Sequence, residues 1–156
     1  MHIRYWVLLH VIGAFLFTGA HGVSVFVALR LRRERDPKRV GALLELSSGA
    51  LWAFYLSFLV LLGAGIVSGF LLHSWGRGWI WTALGILLFT MFFMYGVATS
   101  YYKKVRTVTE AMSHGSQAVT PEQYAELLRS PRPFLLLGEG LAALLVILWL
   151  MLLKPF

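Results

Sequence analysis

Three side chains in this sequence stand where apolar residues are the rule. His10, His21 and Glu139 each interrupt a long apolar run. An ionisable group at that depth in a bilayer costs several kcal/mol by most scales, so each is a functional candidate. His73 stands at the border of a run, while His2 and His114 lie outside the runs and carry little weight.

His10 and His21 are eleven residues apart. On a helix that spacing brings them within about 20° of one direction and about 16 Å apart along the axis. Ala14 and Phe17 share the face between them. Two histidines looking into one interior at two depths suit heme iron, because a neutral imidazole nitrogen is a good axial ligand. Heme b is therefore the cofactor candidate, with His10, His73 and His21 as candidate ligands. Gly13, Gly19 and Gly22 would leave room for a flat macrocycle. Small residues serve close helix packing equally well, and Ala14, Thr18 and Gly22, with Gly65 and Gly69 of the next run, fit that use.

A second ligand for His10 would have to be His73. Matching the outer ends of the first two runs sets His10 level with Ser68, and His73 about 7.5 Å nearer the surface. The alternative for His73 is an interfacial turn residue. The level of His21 falls near Tyr95, with Met91 and Met94 close by, and methionine there is either a ligand or core filler. Matching inner ends sets Glu139, flanked by Gly138 and Gly140, about 4.5 Å further inward than His21. A buried His21–Glu139 pair would satisfy two costly groups, as a clasp, a proton relay or the support of a cofactor. Ser57, Ser68, Thr90 and Thr99 can bond to their own helix carbonyls.

The elements that must position these groups follow from composition. Of 156 residues, 58% are hydrophobic and 13% charged, and the mean hydropathy is +0.72. Soluble domains are less apolar and carry about twice that charge. The apolar runs cover about 5–29, 49–72, 79–101 and 134–153. Each is close to the roughly 20 residues that cross a bilayer as a helix, and helix satisfies the backbone there. The first run is too long for the apolar part of a signal peptide and is expected to be a retained helix. The expected fold is all-α: one integral membrane domain, a four-helix bundle running up-down-up-down.

Eleven of the fourteen Lys and Arg residues lie in the first and third connections, 30–48 and 102–133. By the positive-inside rule these connections are cytoplasmic and both termini face outward. Trp6, Trp75, Trp79, Trp81 and Trp149 fall near the outer ends, as an aromatic belt would. The net charge of +7 then serves topology and contact with anionic lipid, and no basic face with interleaved aromatics points to nucleic acid. Asp36-Pro37 reads as a helix start, which would lay Val40, Leu43, Leu44 and Leu46 along the lipid surface. Thr120-Pro121-Glu122-Gln123 reads as a capped start of a short helix to about Leu128. Gly76 and Gly78 suit a tight outer hairpin, making the second and third helices antiparallel neighbours.

The absence of cysteine excludes disulfides, thiolate metal sites and a Cys nucleophile. No phosphate loop, zinc helix motif or nucleophile elbow occurs. A single carboxylate at depth excludes a carboxylate dyad, and no broken-helix transporter repeat is visible.

The segment Leu9-His10-Val11-Ile12-Gly13-Ala14, with Gly19 after it, and the terminal Ile147-Leu148-Trp149-Leu150-Met151-Leu152-Leu153-Lys154-Pro155 resemble a family of small, uncharacterised bacterial membrane proteins. That family is similar in turn to the copper-resistance protein D membrane domain and to HemJ-type protoporphyrinogen oxidases. The resemblance implies a bacterial cytoplasmic (inner) membrane location and a link between His10 and heme or porphyrin. The chain has no intramembrane lysine of the HemJ type and no Met-rich copper motif, so the resemblance implies the fold rather than either activity.

Three functions are compatible with these residues. The first is a non-catalytic accessory subunit of a larger respiratory or photosynthetic electron-transfer complex, with other membrane subunits and the lipid bilayer as partners. The second is a b-type cytochrome with His10 as axial ligand. The third is an ion or metal permease component.

Overall fold

The computed structural model describes residues 2–116 and 119–156. These form five helices and no strands: α1 (His2–Leu31), α2 (Pro37–Leu71), α3 (Gly78–Ser113), α4 (Pro121–Leu128) and α5 (Arg132–Leu153). Four segments are long and apolar enough to cross a membrane: α1, α2, α3, and α4 with α5. The all-helical, four-span architecture is thus as expected.

Local chemistry sets the helix ends. The Asp36 carboxylate accepts from Lys38 N–H at 3.0 Å, and Pro37 occupies the first helical position. Thr120 and Gln123 form a reciprocal capping box at α4. Pro133 lies inside the first turn of α5, where a missing N–H is harmless. At the other end of α2, His73 N–H donates to the Phe70 carbonyl and Ser74 N–H to that of Gly69, at 3.1 and 3.0 Å. This is a Schellman ending, with His73 at φ 51° in the left-handed position usually taken by glycine.

The third connection differs from its sequence reading. It is not mainly loop, because α3 continues to Ser113. With 35 and 36 residues, α2 and α3 are each more than 50 Å long at about 1.5 Å per residue, well beyond the hydrocarbon layer. Their overhanging ends and α4 build a small core around Val27, Leu31, Val40, Leu44, Tyr101, Val105, Tyr124 and Leu128. Val40 and Leu44 therefore do not lie on lipid. They are buried against other helices, while Leu46 is exposed. Arg32 locks this end: its Nη1 donates to the carbonyls of Arg129 and Ser130 at 2.7 and 2.6 Å. The same guanidinium stands 4.7 Å over the Phe134 ring.

At the hairpin end, Trp79, Ala83 and Leu150 pack together. Trp79 is accordingly buried rather than part of an exposed belt, whereas Trp81 is exposed and bonds to the Trp75 carbonyl at 2.9 Å. Between the two ends, α1 pairs closely with α2 and α3 with α5. Contact between the pairs is thinner.

Candidate functional site

His10 does face its neighbour helix. Its Nδ1 lies 2.8 Å from the Leu61 carbonyl oxygen, and the ring occupies the space a side chain at Gly65 would fill. A carbonyl oxygen only accepts, so Nδ1 carries the hydrogen and Nε2 keeps its lone pair. The level is deeper along α2 than end-matching gives: Leu61 to Gly65 rather than Ser68. From Gly65 to the end of α2 at Leu71 is about 9 Å of rise, and His73 lies beyond it in an exposed turn. The structure therefore does not bring His10 and His73 together as a bis-histidine pair.

His21 looks toward α5. Its Nε2 is sealed from solvent and has no partner. A Cβ placed on Gly140 would stand 3.3 Å from that nitrogen, with the Met94 methyl also against it. Met94 is thus the neighbour of His21 expected from level alone. In this conformation Nε2 has no solvent-accessible face.

Glu139 lies on the same side. Thr90, expected to bond within its own helix, instead donates across to Glu139 Oε1 at 2.7 Å. The other oxygen, Oε2, is buried without a partner. No hydrogen bond or ion pair joins Glu139 and His21 among the described residues. His21 Nε2 and Glu139 Oε2 are thus each left without a partner, with Gly140, the residue after Glu139, against His21. Gly138 contacts nothing within 4 Å, so the close approach belongs to Gly140 alone of the two.

Thin contact between the helix pairs leaves a half-open cleft of about 720 Å³. Phe54 and Phe58 of α2, Phe92 and Tyr95 of α3, and His21 of α1 line it. Its α3 wall runs from Leu88 to Lys103 and Arg106, which make one end basic. Arg106 Nη2 donates to Ser48 Oγ at 2.7 Å and to the Leu44 carbonyl at 3.4 Å. From Met94 to Arg106 is twelve residues, or about 18 Å of helix. Arg106 was counted in the sequence only as a topological charge. Its site role depends on α3 staying helical past its apolar run. Among the described residues no three His, Cys, Asp or Glu groups gather as a metal site.

Four spanning-length helices, titratable groups held between them and an apolar cleft with a basic end define an integral membrane protein. The chain belongs to the family described as predicted integral membrane protein (DUF2269), whose match covers residues 4–155. No curated protein and no solved structure matches it. The family match supports an uncharacterised membrane family and does not extend to the copper-resistance D or HemJ-type proteins.

Proposed function

We propose that this protein is a non-catalytic membrane subunit that holds an anionic amphiphile between its two helix pairs. The observation that carries the reading is the cleft itself. Its walls are apolar and aromatic, and one end is cationic. A groove of this kind in a bilayer fills with acyl or isoprenoid chain, and a guanidinium held by Ser48 offers its remaining N–H groups to an acidic head. Such a bound amphiphile is also how a small subunit would seat against a larger electron-transfer complex. That accessory role remains part of the proposal.

The test is binding of a fluorescent acidic phospholipid to the protein in nanodiscs, against its zwitterionic counterpart. Arg106→Gln combined with Lys103→Gln is expected to weaken acidic-lipid binding by about tenfold or more, since each basic group near a headgroup contributes about 1 kcal/mol. Lys104→Gln, outside the cleft, is expected to change little. Equal binding of both lipids, or no response to the double variant, defeats the proposal.

One observation favours heme b as a second reading. The bond from His10 Nδ1 to a backbone carbonyl fixes the tautomer in which Nε2 could ligate iron, as metal-bound histidines commonly do. Heme would supply one-electron chemistry there. The fit is partial, because neither His73 nor His21 stands ready as the second ligand, so no step is derived through it. A reduced-minus-oxidised spectrum of the purified protein, lost in His10→Ala, would support this reading.

A further inference from the structure

We propose that a second cavity, separate from the cleft, binds a phospholipid whose head carries two phosphates. The two sites share no lining residue, so nothing here depends on what fills the cleft. On α1 the cleft takes Val25 and Ala28, while Phe26, Leu29, Arg30 and Arg33 line the second cavity.

This cavity is about 830 Å³. Its polar lining is five arginines, Arg30, Arg32, Arg33, Arg35 and Arg129, with no carboxylate. They come from both sides of a junction that Arg32 closes. Its Nη1 donates to the carbonyls of Arg129 and Ser130 at 2.7 and 2.6 Å. Arg35 Nη1 donates to the carbonyls of Arg32 and Glu34 at 3.2 and 2.7 Å. Backbone carbonyls thus fix two guanidiniums without neutralising them, and their remaining N–H groups are ordered in advance for an anion. The side chains of Arg30, Arg33 and Arg129 make no hydrogen bond or ion pair among the described residues. The acidic groups of the same turn are engaged elsewhere. Glu34 accepts from the backbone N–H groups of Arg35 and Asp36, and Asp36 pairs with Arg39 at 3.7 Å.

The floor of the cavity points to a lipid as the source of the anion. Phe26 and Leu29 stand at the end of the first apolar run, and Phe134 opens the fourth. All three line the cavity and are exposed. Two spanning segments therefore change from apolar to basic at this one place, the level at which headgroup phosphates lie. A free anion has no use for an apolar floor, whereas a lipid sets its phosphates on the guanidiniums and its chains along the rings. Guanidinium forks match phosphate oxygens in pairs. A single phosphate leaves most of the five cations unmatched, and two phosphates answer them better.

The test uses the full chain in phosphatidylcholine nanodiscs, titrated with cardiolipin that carries a photoreactive group near its head. Labelled residues are mapped by mass spectrometry. Label in 26–35 and 129–134 reports this cavity, and label in 88–106 reports the cleft, so the two readings stand or fall separately. Half-saturation at this cavity is expected at about tenfold lower concentration than for phosphatidylglycerol bearing the same group. Arg33→Gln combined with Arg129→Gln is expected to raise it by about tenfold or more, since two basic contacts are lost. Lys38→Gln removes a charge from the same end but outside the cavity, and is expected to leave it unchanged. Should the double variant fail to fold, the comparison of the two lipids on the unaltered chain decides. Equal half-saturation by both lipids overturns the proposal, as does an equal response to Lys38→Gln and to the double variant. Inorganic diphosphate that displaces cardiolipin at matching concentration would assign the cavity to a free anion and overturns it too.

Discussion

His10 Nδ1 donates to the Leu61 carbonyl at 2.8 Å, one turn before Gly65, whose missing side chain leaves space for the ring. This contact ties α1 to α2 in the apolar layer, where little water competes for the carbonyl. α1 also approaches α2 closely at Gly13, where a Cβ would stand 2.8 Å from Leu61 N.

The glycines of α1 and α2 should therefore respond differently to alanine. Gly65→Ala pushes its Cβ into the His10 ring and breaks the bond, a loss of about 1–3 kcal/mol. Gly13→Ala collides with backbone, which cannot rotate away, and should cost at least as much, about 1–3 kcal/mol or more. Gly19 and Gly22 meet nothing within 4 Å. Alanine there should be neutral or stabilising by up to about 1 kcal/mol through helix propensity. Thermal unfolding in one detergent compares all four. Equal losses would show that packing is not what distinguishes them.

His73 has a structural duty that its side chain does not perform well. It holds φ 51° at the Schellman position of α2, where a Cβ is disfavoured by roughly 1–2 kcal/mol. His73→Gly should raise the melting temperature, and His73→Val should lower it. If His73 instead ligated a cofactor, the glycine variant would lose the associated absorption band along with any gain in stability.

These contrasts mark where the sequence was readable. The four long helices follow from runs of apolar residues, and the starts at Asp36-Pro37 and Thr120 follow from side chains that bond their own backbone. The extension of α3 to Ser113 is not apolar enough to count as a span. Its signal was the weaker period of Tyr101, Val105 and Thr109, buried on one face, among Lys103, Lys104 and Glu110. Missing it hid both the basic-end core and the place of Arg106 in the cleft. End-matching set His10 too near the surface because α1 begins at His2, three residues before the apolar run at Tyr5, so that His10 lies eight residues into its helix rather than five. His21 and Glu139 lie at neighbouring levels, since His21 Nε2 stands against Gly140, the residue after Glu139. Whether they bond depends on Thr90 and Gly140, which no periodicity reveals.

Arg32 should prove the anchor of the basic end. It bonds two carbonyls in the α4–α5 connection and covers Phe134. Arg32→Ala is expected to cost about 1.5–3 kcal/mol, the range for hydrogen bonds to a charged donor. Arg32→Lys should restore little, since an ammonium lacks the planar fork that reaches two acceptors and stacks on a ring. Hydrogen exchange should quicken around residues 124–132 and stay unchanged in the hairpin near His73. Uniform quickening would mean the variant loosens the whole bundle instead.

The turn between α1 and α2 should be sensitive to acid through Glu34. Its carboxylate accepts from the backbone N–H groups of Arg35 and Asp36 at 2.9 and 3.2 Å. Those bonds, with Arg39 and Arg30 nearby, hold it below the ordinary value of 4.5 although it is fully exposed. A carboxyl lowered in the folded state stabilises the fold above its unfolded value, and that contribution fades as pH falls through the folded one. Protection of the Arg35 and Asp36 amides should accordingly be full near neutrality and decline once pH drops below about 4.5. Glu34→Gln provides the reference, because it carries no carboxylate to protonate. The ratio of wild-type to variant exchange should approach one in acid, and a ratio that stays constant with pH would assign the turn's order to Asp36 and Pro37 alone.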